Sequence, residues 1–450
     1  MGDIAFLDRA PGDVLARLGD VPVTAGRFLA DVAALAARLP EAPYALNLCA
    51  DRYLALVAFG AALARGQVTL LSADRSAHRQ RELAARYPGT YAVADGVETV
   101  IPAVAAGAWG EGLGANFPIP AERVAAIGFT SGSTGEPAAH AKPWAALVAA
   151  ARAAAARFGL DDAADQATVI GTVPAQHMYG FETTMVLPLR APMAIHSGPH
   201  FYPVEVAEAV AAAPGRRVVV TTPLQLRALV AGRVAGVSAF ISATAPLSPA
   251  LAAEAEAVLG APVLEIYGAT EMGSIASRRT VEGEEWALYD GVALRAEGAD
   301  AAAAVVPGLP EPVPLSDLVE MGGGGRFRLI GRRGDMVKRG GKRASLALLN
   351  RVLSEIEGVE DGVFVAPEDL EANPAARLAA YVVAPGRTSA EIVAALRERV
   401  EAVFLPRPVV LVERLPRNAV GKITRQKLEA LRDALPHGVP AHGETEGEAG

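Results

Sequence analysis

The sequence predicts an α/β fold class in two domains: a large amino-terminal domain with doubly wound, mostly parallel sheets and helices, and a small carboxyl-terminal α+β domain. The length of 450 residues exceeds the usual size of one domain, so two hydrophobic cores are expected. Hydrophobic residues make up 51% of the chain and charged residues 20%, which is typical of a globular protein, here with an alanine-rich core. Buried strands alternate with helices between residues 124 and 267, and this alternation indicates a parallel sheet covered on both faces.

The first elements follow from hydrophobic periodicity. Residues 28–39 and 53–64 carry apolar side chains at helical spacing, and a short strand is predicted at 68–71. A buried strand at 124–129 precedes a polar loop and an alanine-rich helix from 144 to 158, and a strand, loop and helix in this order would present backbone amides to an anion. The alternation continues with strands at 168–173, 217–221, 238–242 and 262–267 and helices at 203–213, 224–231 and 249–259.

The sequence pattern changes after residue 271. Shorter strands are predicted there, and the four glycines at 322–325 indicate a hairpin turn or a loop. The predicted domains are 1–333 and 334–435, followed by a disordered tail at 436–450. The elements expected in the second domain are helices at 346–356 and 389–403, strands at 358–366 and 376–383, a further strand, and a last helix from 424.

Composition argues against several classes of protein. The net charge of −8 disfavours nucleic-acid binding, so the expected partners are small molecules. The longest apolar run, residues 54–64, is much shorter than the ~20 residues of a membrane span, and no such span is predicted. The amino terminus has no basic stretch before an apolar one, and the single Cys49 cannot form an internal disulfide. Both observations favour a cytoplasmic location with Cys49 buried.

The strongest chemical signal is the segment that follows the strand at 124–129. It consists of small, hydroxyl-bearing residues and glycines, namely Thr130, Ser131, Gly132, Ser133, Thr134 and Gly135. Hydroxyls and amides without bulky side chains can wrap a polyphosphate, because glycine permits close approach. The segment is a predicted phosphate loop but not a Walker A motif, since no Gly-Lys-Ser or Gly-Lys-Thr ends it. A flexible Gly/Ser turn is the alternative interpretation.

A second polar segment, Tyr267-Gly268-Ala269-Thr270-Glu271, ends a predicted strand at the edge where doubly wound sheets place their ligands. Tyr267 offers an aromatic face for a base, and Thr270 offers a hydroxyl for a phosphate. Glu271 offers a hard oxygen ligand for magnesium. Taken alone, the segment is also compatible with an ordinary strand end.

Three further residues suit a nucleotide substrate. Asp317 and Arg332 are an acceptor and a donor that match ribose hydroxyls. Lys422 is one of only five lysines among 42 basic residues, and it stands in a loop bounded by proline and glycine. A mobile cation there could neutralise charge that develops on a reacting phosphate. Each residue taken singly is also compatible with a solvated loop charge.

Taken in order, these segments resemble the ANL superfamily of adenylate-forming enzymes, which includes acyl- and aryl-CoA synthetases and stand-alone adenylation domains. The resemblance covers residues 124–428 and implies that the small second domain is mobile. It also implies the cofactors ATP, Mg²⁺ and coenzyme A, or the phosphopantetheine of a carrier protein. The implied catalytic residues are Lys422, Glu271, Thr270 and His177, with Glu271 as the metal ligand; the implied nucleotide-binding residues are Thr130, Ser131, Gly132, Ser133, Thr134, Gly135, Thr244, Ala245, Tyr267, Gly268, Asp317 and Arg332.

The resemblance also assigns roles outside those motifs. His177 would lie where the carboxylate of the substrate arrives, and a structural histidine is the alternative. Gly334 takes the hinge position, where the family usually has aspartate or lysine. Gly340, Gly341 and Lys342 match the thiol-acceptor side, in a basic segment that would attract the phosphates of coenzyme A or an acidic acyl carrier protein.

These features predict ATP-dependent activation of a fatty or aromatic carboxylic acid, followed by transfer to a thiol, with coenzyme A as the first choice. The close alternative is a stand-alone adenylation enzyme that loads a carrier protein. Amino acids are disfavoured as substrates because the His177 segment lacks aspartate, although Glu182 could substitute.

Ala138 replaces a family lysine, and Lys142 follows four positions later. Either Lys142 reaches the β- and γ-phosphates or pyrophosphate binding is weaker. Ala138 and Gly334 also motivate a third interpretation, a nucleotide-binding pseudoenzyme with a regulatory role.

Overall fold

The computed structural model describes residues 2–130, 138–298, 301–332, 336–339, 342–367, 376–417, 423 and 427. The chain divides into two compact units, Met1–Gly334 and Asp335–Gly450. Among the described residues, no helix is both long enough and apolar enough to cross a membrane. The predicted tail at 436–450 lies outside the described residues.

The first unit is rich in short strands. Its strands are β1 (Asp3–Ala5), β2 (Val14–Leu18), β3 (Val21–Thr24), β4 (Tyr44–Asn47), β5 (Val68–Leu71), β6 (Thr90–Ala94), β7 (Ala103–Ala105), β8 (Pro118–Pro120), β9 (Val124–Thr130), β10 (Ala138–Pro143), β11 (Ala167–Gly171), β12 (Met193–His196), β13 (Arg216–Thr221), β14 (Ala239–Ser242), β15 (Val263–Ala269), β16 (Gly273–Arg279), β17 (Trp286–Leu288), β18 (Ala293–Ala296), β19 (Ala302–Val305), β20 (Val313–Pro314), β21 (Asp317–Met321) and β22 (Arg326–Arg332).

Helices separate most of these strands. They are α1 (Ala25–Ala36), α2 (Arg52–Ala64), α3 (Ala77–Arg86), α4 (Trp144–Arg157), α5 (Met178–Phe181), α6 (Leu187–Arg190), α7 (Pro203–Ala212), α8 (Pro223–Ala231) and α9 (Pro249–Leu259). A π-helical turn, Glu182–Val186, joins α5 to α6.

Two large sheets organise the first unit. One has six strands in the order β10-β9-β5-β4-β6-β7, and the other has eleven in the order β21-β22-β17-β16-β15-β14-β13-β11-β12-β2-β3. The run from β15 to β2 is parallel throughout, whereas β16, β17, β21 and β22 extend it with antiparallel pairs. The predicted mostly parallel, doubly wound sheet is confirmed.

Hydrophobic side chains pack on both faces of the larger sheet. Val218 and Val220 of β13 join the largest cluster, which also contains residues of the six-stranded sheet and of α1, α2 and α4. Val219, pointing the other way, joins a second cluster with α7, α8 and α9. Four alanines of α2 belong to the largest cluster, and the expected alanine-rich core is confirmed: Ala55, Ala58, Ala61 and Ala62.

The sequence pattern predicts that the polar loop after β9 leads directly into a helix. The structure differs from this prediction. The chain first forms β10, which pairs antiparallel with β9. Helix α4 begins only at Trp144, and Pro143 at its N-cap makes no side-chain cap hydrogen bond. The strand forms because the edge of β9 is otherwise open, and pairing there satisfies the backbone groups of both segments.

Local hydrogen bonds shift two helix boundaries from their predicted positions. α1 begins at Ala25 rather than residue 28, because the Thr24 side chain accepts the N–H of Arg27 at 3.3 Å. In the second unit, the helix predicted at 389–403 ends at Arg397. The N–H of Arg399 bonds to the Leu396 oxygen three residues back, a 3₁₀-type contact that tightens the end of the helix.

The second unit is α+β, as predicted. Its described elements are strands β23 (Met336–Arg339), β24 (Lys342–Ser345), β25 (Asp361–Val365), β26 (Ala379–Val383) and β27 (Val409–Leu411), with helices α10 (Leu346–Ser354) and α11 (Ser389–Arg397). β23 and β24 form a hairpin, and β25, β26 and β27 form a small sheet. A separate hydrophobic cluster packs both helices on that sheet.

Candidate active site

Three predicted site segments meet at Gly128, two residues before Thr130 on β9. A Cβ atom placed on Gly128 would lie 2.8 Å from Cγ2 of Thr270 and 3.7 Å from Sδ of Met178. Carbon atoms do not tolerate a contact of 2.8 Å, so glycine is what lets Thr270 pack this closely against β9. The base of the phosphate loop, the strand end with Thr270 and the segment after His177 are therefore neighbours.

β9 and β10 form a hairpin whose connection carries the predicted phosphate loop. Thr130 and Ala138 are paired at its end, and Oγ1 of Thr130 lies 3.0 Å from Nε2 of His140. Burial lowers the pKa of His140, so its ring is neutral at pH 7. The other residues of the loop, which the sequence assigns to phosphate binding, lie outside the described residues: Ser131, Gly132, Ser133, Thr134 and Gly135.

The turn between β15 and β16 carries Thr270 and Glu271, both half-buried. Lys142 is only 2% exposed, and its Nζ donates to the main-chain oxygen of Glu271 at 2.8 Å. Burial lowers the pKa of Lys142, while the carboxylates of Glu182 and Glu271 act in the opposite direction. The ammonium of Lys142 is buried against the turn. Its two alternatives, a reach to the β- and γ-phosphates or weaker pyrophosphate binding, stay predictions.

Three of the predicted nucleotide-binding residues lie in the larger sheet: Tyr267 on β15, Asp317 on β21 and Arg332 on β22. Tyr267 is 8% exposed, and its ring packs against Trp286 and Phe327, with ring centroids 5.6 Å apart in each pair. Its hydroxyl donates to Oδ2 of Asp317 at 2.7 Å. Asp317 stands opposite Arg332 in the β21–β22 pairing. Stacking of Tyr267 on a base and the two ribose contacts stay predictions.

The end of β14 adds a strained residue to the same edge. Thr244 has a φ of +80°, a region that β-branched residues rarely adopt. Such strain costs about 1–3 kcal/mol and is concentrated at ligand sites. Ala245 follows half-buried, and the exposed Gly268 lies at an irregularity in the β15–β16 pairing. These features are compatible with the predicted contacts to adenine and leave them as predictions.

His177 is half-buried and directly precedes α5, which continues into the π-helical turn Glu182–Val186. Segments of this kind occur frequently at functional sites. The hydroxyl of Tyr179 donates to the main-chain oxygen of Ile241 at 2.7 Å, which ties the segment to β14. The predicted role of His177 toward the substrate carboxylate stays a prediction.

A polar cavity of about 150 Å³ lies beside the His177 segment, and Arg52, Arg75, Pro174 and His200 line it. Burial lowers the pKa of His200 to about 4, so this ring is neutral at pH 7. Its Nδ1 is buried without a hydrogen-bond partner among the described residues. The cavity therefore holds polar groups that a ligand could satisfy.

Both arginines of the cavity donate to neutral oxygens. Arg52 donates to the main-chain oxygens of Gly171 and Val173 at 2.9 and 3.0 Å, and burial lowers its pKa to about 10, which leaves it charged at pH 7. Arg75 donates to Cys49 O at 3.0 Å. Within the described part of the chain, neither guanidinium forms an ion pair. The nearby carboxylate of Asp51 acts to raise the pKa of Arg52, so Arg75 is the cation of the cavity with more charge available for an anionic group.

Several predicted residues lie outside the described part of the chain: Gly334, Gly340, Gly341 and Lys422. Lys342 is described, and its exposed ammonium pairs with the carboxylate of Glu401. The backbone of Arg332 is described in β22. Cys49 is buried, as expected, and burial raises the pKa of its thiol.

The described residues contain no group of three or more His, Cys, Asp or Glu side chains that could hold a metal. A single carboxylate nevertheless fits Mg²⁺, which proteins commonly hold with one or two carboxylates while substrate phosphates and water supply the other ligands. Glu271, half-buried at the strand end beside Thr270, is such a carboxylate.

Sequence reasoning missed His140, Arg52 and Arg75, and it named Lys142 and Glu182 only in other roles. His140 and Lys142 stand two residues apart on β10, and polar residues at this spacing are a strand pattern that the expectation of a loop overlooked. Arg52 interrupts an apolar helix start, which is a signal for a buried cation. Glu182 and Arg75 carry no local signal. Glu182 contacts Ser274, 92 positions away, and Arg75 contacts Cys49 and Gln176, 26 and 101 positions away.

Comparisons with known proteins agree with this architecture. The family described as AMP-binding enzyme matches residues 43–301, more than half of the chain, and the AMP-binding enzyme C-terminal domain matches residues 350–422. A 4-coumarate–CoA ligase from Rhodobacter capsulatus is 31% identical over 281 residues, which are 62% of this chain and 69% of that protein.

Two further comparisons cover different lengths of the chain. The non-ribosomal peptide synthetase CmlP from Streptomyces venezuelae is 33% identical over 170 residues, 37% of this chain and 17% of the synthetase. The solved structure of O-succinylbenzoate coenzyme A synthetase from Bacillus subtilis, in complex with ATP and a magnesium ion, has a TM-score of 0.78 at 16% identity and covers 93% of this chain and 97% of its own. At that identity the likeness shows the fold.

Proposed function

Because this chain belongs to the family of AMP-binding enzymes, we propose that it is an AMP-forming acid–CoA ligase, which activates a carboxylic acid with ATP and transfers the acyl group to coenzyme A. The observation that carries the proposal is the close packing around Gly128. There the base of the phosphate loop, Thr270 and the His177 segment adjoin, as an enzyme that brings a phosphate and a carboxylate together requires.

The chemistry explains the residue types. A carboxylate oxygen attacks the α-phosphorus of ATP, the bond to pyrophosphate breaks, and a mixed anhydride with AMP forms. A thiol then attacks the acyl carbon, and AMP leaves. The first step brings two anions together, so cations and hydrogen-bond donors must offset their repulsion. In the proposed site Thr270 contacts the α-phosphate, Asp317 and Arg332 hold the ribose, and Lys422 supplies the mobile cation.

Glu271 is proposed to hold Mg²⁺. When bound, the ion would neutralise phosphate charge and polarise the phosphoryl oxygens. Lys142 binds the main-chain oxygen of Glu271 and leaves its carboxylate available for that role.

The cavity lined by Arg52 and Arg75 is proposed to receive phosphate groups of coenzyme A. It carries two guanidinium groups that form no ion pair within the described residues, and it adjoins the segment where the acyl carbon would lie. A guanidinium fork can match two phosphate oxygens at once. Both Nη atoms of Arg52 already donate to protein oxygens, so in this proposal Arg75 makes the direct contact and Arg52 contributes charge.

Replacing Arg75 with alanine should raise the KM for coenzyme A about tenfold, because a charge-assisted hydrogen bond contributes ~1.5–3 kcal/mol. ATP–pyrophosphate exchange should keep its rate, since that half-reaction needs no thiol. Arg81→Ala is the matched control, because Arg81 is an exposed arginine on α3. Equal loss of both half-reactions would contradict the assignment of this cavity to the acceptor.

Replacing Tyr267 with phenylalanine should raise the KM for ATP about fivefold and leave kcat nearly unchanged. The hydroxyl that orients Asp317 is lost, at a cost of ~1 kcal/mol, while the ring and its packing remain. Initial exchange rates against ATP concentration measure the effect. Tyr91→Phe is the control, because it removes a similar buried hydrogen bond, to Gln67, far from the site. An unchanged KM for ATP argues against the Tyr267–Asp317 pair as part of the ribose site.

The test of the proposed function is ATP–pyrophosphate exchange with a panel of aliphatic and aromatic acids, followed by hydroxylamine trapping of the acyl-adenylate. At least one acid should drive incorporation of labelled pyrophosphate into ATP and yield a hydroxamate. A panel without exchange or hydroxamate favours the nucleotide-binding pseudoenzyme instead.

A carrier protein is the second candidate acceptor, and the similarity to CmlP over 170 residues favours testing it. With a substrate identified, thioester formation is compared between free coenzyme A and a phosphopantetheinylated carrier protein. A ligase of coenzyme A should prefer the free thiol. A preference for the carrier would assign the chain to the stand-alone adenylation enzymes.

A further inference from the structure

The turn that joins β15 to β16 is held at both ends by two buried side chains that come from distant parts of the chain. It includes Thr270 and Glu271, and Gly273 and Ser274 begin β16 directly after it. Turns at the surface usually rely on their own backbone hydrogen bonds and are mobile. Here a lysine contacts the turn itself, and a glutamate contacts the first residues of β16.

The lysine is Lys142, on the same side of β10 as His140. Its Nζ donates to the main-chain oxygen of Glu271 at 2.8 Å, and its side chain is 2% exposed. An ammonium group is costly to bury unless it is hydrogen-bonded and near opposite charge. The contact is to the backbone, so Lys142 controls where the Glu271 main chain lies rather than binding its carboxylate.

The glutamate is Glu182, in the π-helical turn after α5. Its Oε2 accepts from the backbone N–H of Ser274 at 3.0 Å and from the Ser274 hydroxyl at 2.6 Å. A Cβ atom placed on Gly273 would lie only 2.4 Å from Oε1 of Glu182, which is too close. Gly273 also has a φ of +78°, so glycine is required at this position. Glu182 therefore restrains the start of β16, where the turn ends.

We propose that Lys142 and Glu182 are positioning residues: a buried cation and anion that hold the β15–β16 turn and thereby place Thr270 and Glu271 for acyl-adenylate formation. The inference rests on the proposed function. It assigns a role to a lysine that stands four positions after Ala138 and to a glutamate that sequence reasoning considered only as a ligand for a substrate amine.

Two features link the pair to catalysis rather than to folding alone. Thr270, at the start of the turn, packs within van der Waals distance of Gly128, so a shift of the turn moves Thr270 relative to the phosphate loop base. Glu182 belongs to the segment that begins at His177, so one carboxylate couples the predicted acyl segment to the predicted metal ligand. A misplacement of about 1 Å in such a site can reduce turnover by ~100-fold.

The experiment compares Lys142→Met, Glu182→Gln and the double variant with Arg278→Met. Arg278 pairs with the buried Glu265 at 2.7 Å at the other end of the same hairpin, so its loss leaves a comparable buried carboxylate far from the turn. The double variant removes both buried charges together, so Glu182 is not left as a buried anion without the opposing charge of Lys142. An unpaired buried charge would destabilise the fold, and the double variant avoids this effect.

Four quantities are measured for each variant: kcat and KM of ATP–pyrophosphate exchange, Tm, and hydrogen exchange of the backbone amides at 270–274 without nucleotide. Lys142→Met and the double variant should lower kcat about 10- to 100-fold, change the KM for ATP less than threefold, and accelerate amide exchange in the turn. Arg278→Met should lower Tm and leave kcat near wild type.

A double variant that keeps wild-type kcat and wild-type amide exchange overturns the proposal. The proposal is also overturned if kcat falls only in proportion to Tm and Arg278→Met loses as much activity for the same loss of Tm. A wild-type protein without exchange on any acid is a different result: it refutes the proposed function, while the amide exchange of the turn still tests whether Lys142 and Glu182 hold it.

Discussion

Replacing Lys422 with alanine should lower the rate of ATP–pyrophosphate exchange by about 100- to 1000-fold, the usual effect of removing one preorganised contact to a charged transition state. The physical reason is the approach of two anions, a carboxylate and the α-phosphate, in a partly dry cleft where charge interactions are strong. The ammonium of Lys422 is assigned to offset that repulsion.

The same variant should form thioester from a presynthesised acyl-adenylate at close to the wild-type rate, because this second step has no triphosphate to neutralise. Lys427→Ala is the matched control, since Lys427 is another of the five lysines and is exposed five residues further along. If Lys422→Ala slows both steps equally, the residue does not have the role assigned to it.

Replacing Glu271 with glutamine should lower exchange by about 100-fold or more and move the activating Mg²⁺ concentration upward. The amide is nearly isosteric with the carboxylate but carries no charge, so it holds a divalent cation more weakly. The hydrogen bond from Lys142 to the main-chain oxygen of Glu271 is preserved, because the backbone is unchanged. Loss of activity therefore reports on the carboxylate itself.

The measurement is a titration of exchange rate against Mg²⁺ at fixed ATP, with Tm recorded for each protein. Glu254→Gln, on the exposed face of α9, controls for the loss of one surface carboxylate. A Glu271→Gln protein with the wild-type rate and the wild-type Mg²⁺ midpoint refutes the proposed metal ligand.

The agreement between sequence and structure is good wherever a local pattern decides the outcome. Helical periodicity locates α1 and α2, although Thr24 moves the start of α1 by three residues. The four glycines at 322–325 lie in the hairpin between β21 and β22. Alternating buried strands and helices predict the parallel sheet, since side-chain period and burial are properties of short segments.

The β10 strand is an element that local sequence patterns do not predict. Residues 138–143 follow a glycine-rich segment and precede an obvious helix, so a loop was the natural prediction. Whether such residues become a strand depends on an open edge beside them, and β9 supplies that edge. The pairing partner is a tertiary property, because one strand cannot satisfy its own backbone groups.

The sequence by itself determined the class of fold and the motifs that suggest adenylate chemistry, because both depend on residue types at short spacing. Only the tertiary structure decided that Lys142 faces the Glu271 backbone, that Glu182 holds Ser274, and that Arg52 and Arg75 share a cavity. Residues such as Glu182 and Ser274, 92 positions apart, meet only because helix and sheet packing brings them together. Whether such residues are buried, and which charges lie beside them, depends on the whole fold. No local sequence pattern therefore predicts these contacts.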